Sequence, residues 1–486
     1  MKLKELLSNI EVEYILGDAE IEIGGVESNF YTVRENDLFV YPCNVFSERL
    51  NIAGRAIARG ATAILSDGEP AAAAESGITL IKVRRLDDLA ERLIQRFYGN
   101  PRERMTVIGV TGTKGKTTTA HMIAAILRKA GYKTALQTTI GMDTGKRFYP
   151  AEEIAPNRTR LYSEMLENGV RFLIEEYPSV SIKMGLADNI RFDTCVYTNL
   201  SEDHVGNEGH PTFEDYAASK ARLFGLCERA VINGDDSRIV ADVAEKCGRI
   251  ETFGMSEKCD LYAQNIERTE RFGIRFRTGG VLAMEAEMPY SGSFSAYNAM
   301  AAMLVCRHFG VETDVMRDAL AEIRVEGRLE EIPFAEGVHV FVDYAHNGVS
   351  LENVLGMLKG YRPQRLICLF GCGGKRPIKR RTDMGRISGE LADLTVITAD
   401  NSRGEDLMKI IGDIESAVKE TGGSYTVIPD REKAVLSVLA DARPGDTILL
   451  AGMGHEWYLK LDGGRVRTND RQVVEDYLSD RKERKV

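Results

Sequence analysis

The 486-residue sequence has no uninterrupted apolar run near the roughly 18 residues that a membrane span needs. Its first stretch, MKLKELLSNIEVEY, carries charges among its apolar positions and lacks the apolar centre of roughly 7–15 residues that marks a secretory signal. Both absences predict a soluble, cytoplasmic protein with no membrane partner. Basic charge is not in excess either. The 63 lysines and arginines stand against 73 acids, a net charge of −10, so no general field draws nucleic acid. Cys43, Cys195, Cys227, Cys247, Cys259 and Cys306 are scattered without zinc-like or paired spacing. Even Cys368 and Cys372, four apart on an apolar segment, read as reduced core thiols. Repeats, low-complexity tracts and long Ser/Pro linkers are missing too. What remains, 43% apolar and 28% charged residues, is an ordinary globular composition, neither disordered nor collagenous nor disulfide-framed.

At roughly 100–200 residues per domain, this length suggests about three domains. Two punctuated joints divide the chain: Tyr98-Gly99-Asn100-Pro101-Arg102 and Glu326-Gly327-Arg328. They predict domains over 1–100, 101–326 and 327–486. Each joint precedes a strand-like run, Met105–Val110 and Val338–Ala345. Short β-branched runs (Phe192–Leu200, Ala230–Asn233, Leu366–Gly371, Leu394–Asp400, Asp446–Ala451) then alternate with helical patterns (Glu214–Cys227, Asn298–Phe309, Glu405–Glu420). This alternation predicts α/β architecture, with mostly parallel sheets covered by helices on both faces. Ligands in such sheets bind beyond the carboxyl ends of the strands, so chemistry is sought just after each apolar run. The tail Arg481-Lys482-Glu483-Arg484-Lys485 reads as a solvated helix end.

The strongest local signal is Val107-Ile108-Gly109-Val110-Thr111-Gly112-Thr113-Lys114-Gly115-Lys116-Thr117-Thr118. A buried strand enters a glycine-punctuated turn that opens a helix with Ile123, Ile126, Leu127 and Ala130 on one face. Gly112 and Gly115 let backbone N–H groups face an anion, and the helix start adds positive potential. Lys116 can reach the outer phosphates of a nucleotide, and the Thr117 hydroxyl can ligate Mg²⁺. Val110 stands where the common Walker A pattern has its first glycine, so this is the shorter G-T-x-G-K-T-T version.

Six further blocks follow in order: Thr198-Asn199-Leu200-Ser201-Glu202-Asp203-His204; Tyr216–Phe224; Asp343-Tyr344-Ala345-His346-Asn347; Phe370-Gly371-Cys372-Gly373-Gly374; Asp400-Asn401-Ser402-Arg403; and Gly452-Met453-Gly454-His455-Glu456. With the loop, they make the sequence resemble the Mur ligase superfamily over nearly its whole length, and within it the MurE type. Those enzymes use ATP to join a diamino acid to UDP-N-acetylmuramoyl-L-alanyl-D-glutamate in peptidoglycan synthesis. The resemblance implies three α/β domains: an N-terminal UDP-substrate domain, a central P-loop ATPase domain and a C-terminal Rossmann-like domain that binds the amino acid. It implies a monomer with small-molecule partners. It also implies that Gly112 to Thr118, Asn298, Arg328, Asp343 and His346 contact ATP, with Lys116, His204 and Lys220 catalytic. Thr117, Glu176, His204 and Lys220 would hold Mg²⁺, the lysine as a carbamate formed with carbon dioxide. A carbamate offers anionic oxygens where an ammonium would repel the metal. Glu175 adjoins Glu176, so an offset of one stays open. Ser28, Pro156, Ser179 and Arg381 fall on substrate positions.

For the amino acid, Asp400, Asn401, Arg403, Gly452 and Glu456 match positions that hold diaminopimelate. An arginine fork suits its distal carboxylate, which lysine lacks, and Glu456 suits the remote ammonium. Other features differ from that pattern. Ser402 replaces a proline, Met453 a lysine and Val180 a polar residue; Ile154-Ala155-Pro156-Asn157 matches the acceptor motif in part; and Glu27-Ser28-Asn29 replaces Asp-Ser-Arg. The His204–Lys220 spacing is similar to that of the lysine-adding branch. Diaminopimelate is the reading that Arg403 favours. Lysine, another diamino acid or another carboxylate are alternatives, and a nucleotide-binding regulatory protein is the reading from a different class. No pattern marks the base that deprotonates the amine.

Overall fold

The computed structural model describes residues 1–486 except 45–46, 48–49, 87, 152–153, 155–157, 202–208, 271, 462–463 and 484–486. By packing, the chain forms two units. One comprises Met1–Thr113, Ala130–Val231 and Arg238–Ile250; the other comprises Lys114–Lys129, Ile232–Ser237 and Glu251–Val486.

In the first unit, a five-stranded sheet runs Tyr14–Leu16, Thr79–Lys82, Ala61–Ser66, Asp37–Val40, Gly25–Glu27. Only its first pair is antiparallel. Leu38, Val40, Ala63, Leu65 and Ile81 face the helix Leu89–Tyr98 through its buried Leu93 and Ile94. A second run of strands follows the order Cys227–Asn233, Phe192–Tyr197, Thr106–Thr111, Phe172–Glu176, Thr134–Gln137, Gly141–Asp143, Phe148–Pro150. Thr106–Thr111 lies between two parallel neighbours, which is why nearly all of it is buried. Register places Glu176 beside Val110 and Tyr197 beside Thr111, so three strands end level at the phosphate loop.

In the second unit, the helix Lys116–Lys129 packs on Ser293–His308 along a face of alanine and methionine. The strands Glu285–Met288, Ile274–Gly280 and Leu261–Arg268 form an antiparallel meander. Sequence reading had not marked these three as strands; their exposed face is charged, with Arg275 pairing Glu287 at 2.7 Å and Arg277 pairing Glu285 at 3.3 Å. Another sheet runs Glu330–Ile332, His339–Asp343, Asp446–Ala451, Arg365–Phe370, Leu394–Ile397, Tyr425–Val427, parallel but for its first pair. Buried Arg431 fixes its carboxyl edge, pairing with Asp470 at 2.6 Å and donating to the carbonyls of Ala399 and Ala451.

The α/β class read from the sequence stands, with shifts at the ends of elements. Asp406 accepts the N–H groups of Met408 and Lys409, so the helix expected from Glu405 begins at Leu407. The helix expected over Glu214–Cys227 is capped by Thr212, runs Phe213–Ala221 and tightens to a 3₁₀ turn over Arg222–Leu226. All eight cysteines are free. Among the described residues no helix is long and apolar enough to cross a membrane.

Candidate active site

Gly112 and Gly115 turn the chain with φ of +144° and +78°, conformations that favour glycine. Space demands glycine as well. A side chain at Gly112 would collide with the Thr198 hydroxyl, and one at Gly115 with the Asn298 amide.

The first unit tightens its half of the loop from several directions. The Thr113 hydroxyl accepts from the Ser201 N–H at 3.0 Å and from the Tyr216 hydroxyl at 3.1 Å. Lys220 is buried; its Nζ donates to the Gly112 carbonyl at 2.8 Å and lies 4.4 Å from the Tyr216 ring. The neighbours Glu175 and Glu176 have different partners. Glu175 points inward to Arg102, and its Oε1 accepts from Tyr162 at 2.9 Å. Glu176 is buried on the opposite face of the strand, where its carboxylate accepts the Thr139 N–H at 3.3 Å. Glu175→Ala is therefore expected to cost about 3–5 kcal/mol of stability by stranding Arg102. Glu176→Gln should leave the urea midpoint in place and lower magnesium-dependent phosphate release ~10- to 100-fold. Equal effects on both readouts would refute the division.

In the second unit, the Thr119 hydroxyl donates to Asn298 at 3.3 Å, and Arg328 donates to the Thr117 hydroxyl at 3.3 Å. Asp343 fixes the backbone that carries Arg328: its two oxygens accept the N–H groups of Leu329 at 2.6 Å and Ala345 at 2.7 Å. Burial pushes its carboxyl up, and Arg328 opposes that shift. The Arg328 guanidinium stacks 4.5 Å over Tyr344. His346 donates through Nδ1–H to the Tyr344 carbonyl, 2.8 Å away. Burial, followed by the charges of Lys114, Arg380 and Arg328, pushes this imidazole down to about 3. A neutral histidine among three cations describes a positive environment, suited to phosphate oxygens.

Further along, burial first and then the charge of Asp400 push the Glu456 carboxyl up. For Asp400 burial is again the leading cause, opposed by Arg431 and then Arg403. Glu456 accepts from Asn401 at 2.7 Å and from the Tyr344 hydroxyl at 3.2 Å. Gly452 leaves room beside Asp400, whose Oδ2 would lie 3.2 Å from a Cβ there. Arg403 is exposed, on a left-handed residue with φ +53°. Arg381 lies differently from the substrate contact that the resemblance implies. It is buried, and its terminal nitrogens are held by Glu405 at 2.6 Å and Asp413 at 2.9 Å. Tyr344, at the meeting of Arg328, His346 and Glu456, was missed by sequence reasoning, although it stands in the quoted block just past a strand end.

Ser28 is exposed at the end of its strand, next to buried Glu27. Pro156 and His204 lie outside the described residues. Glu27 and Asp37 share one guanidinium, Arg160, at 3.5 and 2.6 Å. Burial, with the Asp37 charge adding to it, pushes Glu27 up to about 7 against the pull of Thr32 and Arg160. Folding thus favours the protonated form. Its contribution is complete below pH 4.5 and is lost as pH rises to about 7, by up to ~3 kcal/mol. Glu27→Gln should remove this slope from urea midpoints measured at pH 4–8; identical slopes in both proteins would refute it.

Each unit carries a hard oxygen of the kind magnesium prefers: buried Glu176 in the first, the Thr117 hydroxyl in the second. Magnesium, when bound, would neutralise phosphate oxygens during transfer. A strand, a two-glycine turn and a helix ringed by cations define a P-loop nucleotide-binding α/β protein. Comparison with known proteins narrows this class. The Mur ligase middle domain matches residues 110–306, and the Mur ligase, glutamate ligase domain matches residues 327–454. A UDP-N-acetylmuramoyl-L-alanyl-D-glutamate--2,6-diaminopimelate ligase of Caldanaerobacter subterraneus subsp. tengcongensis is 32% identical over 485 residues, 99% of each chain. One of Geobacillus kaustophilus is 33% identical, over 99% of this chain and 100% of its own. A solved ligase of that same description aligns with TM-score 0.59 at 25% identity, over 99% of each chain. In fold alone, the MurF ligase from Thermotoga maritima, solved in complex with ADP, aligns with TM-score 0.63 at 18% identity over 95% of this chain and 98% of its own. The chain belongs to the Mur ligase family.

Proposed function

We propose that the protein is an ATP-dependent ligase that adds meso-diaminopimelate to UDP-N-acetylmuramoyl-L-alanyl-D-glutamate, acting as a monomer in the cytoplasm. The observation that carries the choice of amino acid is the pair of acids, Asp400 and Glu456, beside the exposed Arg403. Two neighbouring carboxylates, Glu456 raised in part by the charge of Asp400, suit an ammonium group, and the Arg403 guanidinium, whose charge opposes the shift of Asp400, suits a carboxylate. Together they fit the zwitterionic far end of a diamino diacid.

A carboxylate is a poor electrophile and must first be activated. The acceptor carboxylate, oriented by contacts that include Ser28, Pro156 and Ser179, attacks the γ-phosphorus of ATP and ADP leaves. Lys116, Arg328 and the loop N–H groups stabilise the charge that spreads over the transferred phosphoryl oxygens. Asn298, Asp343 and His346 shape the nucleotide side. Thr117, Glu176, His204 and carbamylated Lys220 would hold magnesium. The amine of diaminopimelate then attacks the acyl phosphate, and phosphate departs.

The test supplies ATP, magnesium and UDP-MurNAc-dipeptide with either diaminopimelate or lysine, then follows phosphate and product mass. Release that needs both the acceptor and diaminopimelate is expected. Ligation of lysine instead would favour the lysine-adding alternative. Hydrolysis indifferent to both substrates would favour a nucleotide-binding regulatory protein.

A further inference from the structure

Against the phosphate loop in the first unit, Ser179, placed above among the acceptor contacts, ends a chain of three side chains whose other two members, His210 and Asp215, the ligase reading does not use. His210 is fully buried. Its Nδ1 lies 2.7 Å from Asp215 Oδ2, and its Nε2 lies 3.0 Å from the hydroxyl of buried Ser179. The chain is continuous with the loop: the His210 ring meets Tyr216 edge-on at 5.2 Å, and Tyr216 donates to Thr113. Ser179 follows Glu176 by three residues. Between them, Tyr177 is clamped to the loop strand, its carbonyl accepting from the Thr111 hydroxyl at 2.8 Å and its N–H donating to the Val110 carbonyl at 2.8 Å.

The chemistry of the three groups fixes a direction. An ionised carboxylate only accepts, so Asp215 keeps a proton on His210 Nδ1, and in the neutral ring Nε2 carries the lone pair. Ser179 must then donate to Nε2, which turns its own lone pairs outward. A hydroxyl so arranged accepts a proton from a donor such as an ammonium. Lys183 Nζ lies 2.7 Å from the same Asp215 oxygen and 3.1 Å from the Gly209 carbonyl. Lys183 and His210 together hold the Asp215 carboxyl below its ordinary range. Among the described residues, the other charged or titratable groups facing this cluster are Tyr216 and, across its ring, Lys220.

We infer that Ser179, His210 and Asp215 form the proton relay of the ligation step, with Ser179 accepting a proton from the attacking amine and His210 as its positioning and receiving partner. The inference rests on the ligase reading above and supplies the base which that reading leaves unassigned. The balance closes. The substrate ammonium loses two protons in becoming an amide as the C–N bond forms and the carbon–oxygen bond to phosphate breaks. Phosphate leaves with the electron pair and one proton. The other passes to Ser179 Oγ while the serine's own proton moves to His210 Nε2, and Asp215 stabilises the imidazolium until solvent takes it.

Hydroxylamine is uncharged near pH 7 and needs no such base, so it separates the relay from acyl-phosphate formation. The full chain, with ATP, magnesium and UDP-MurNAc-dipeptide, is given either diaminopimelate or hydroxylamine over pH 6.5–9.5. His210→Gln is expected to lose ~10²–10⁴-fold in diaminopimelate ligation at neutral pH and to keep most hydroxamate formation. Its ligation deficit should shrink as rising pH deprotonates the amine. Asp215→Asn, at a half-exposed site that threatens folding less, should show a smaller loss with the same pH trend. Equal losses with both nucleophiles, or a deficit independent of pH, would overturn the relay. Wild-type protein that makes neither hydroxamate nor ligated product would overturn the ligase reading, and the relay with it.

Discussion

Lys116→Ala is expected to lower acceptor-dependent phosphate release by ~10³–10⁵-fold, the range typical of removing a cation that stabilises phosphoryl transfer. Lys116 is the first residue of the loop helix, immediately after the left-handed Gly115 that Asn298 braces. Ground-state nucleotide binding should fall much less, because the glycine-cornered N–H groups and the helix start remain. Single-turnover phosphate release, read beside the ADP dissociation constant from calorimetry, tests both halves. Turnover within tenfold of wild type would refute the assignment. A loss of ADP binding as large as the loss of turnover would instead make Lys116 a general anchor with no preference for the transition state.

That loop was legible in the sequence because it is local. Two glycines at positive φ, a buried strand before them and an amphipathic helix after them all lie within about two dozen residues. The paired acids were half legible. The sequence left an offset of one open between Glu175 and Glu176; a strand sends successive side chains to opposite faces, and only the fold shows that Glu175 is the one that meets Arg102. Lys220 could be flagged only by resemblance, since its bond to the Gly112 carbonyl spans 108 positions. His210 escaped notice for another reason: Gly209-His210-Pro211 reads as a turn, and neither Ser179 nor Asp215 advertises a partner in the linear chain. Arg381, too, could be singled out only by resemblance, since Glu405 and Asp413, which draw it inward, lie 24 and 32 positions further on.

In the proposed ligase, Arg403 is the residue that would select the substrate. Its backbone sits at φ +53°, and its N–H donates to the Lys460 carbonyl at 3.3 Å, so the residue is placed by the turn that follows Asp400 and Asn401. Losing one partner of a charge-assisted, two-pronged bond costs about 2–5 kcal/mol, which is ~10²-fold or more in affinity. Arg403→Ala should therefore raise the KM for diaminopimelate by about that factor and leave the ADP dissociation constant within about twofold, since the nucleotide contacts assigned to Arg328 and His346 do not involve it. Arg403→Lys should recover only part of the loss, because an ammonium is a point charge without the fork. Lysine as substrate gives the decisive comparison: it has no distal carboxylate, so the substitution should not weaken its use. A KM for diaminopimelate that does not move, or one that moves equally for lysine, would remove Arg403 from carboxylate recognition and leave Asp400 and Glu456 as a site for an ammonium group alone.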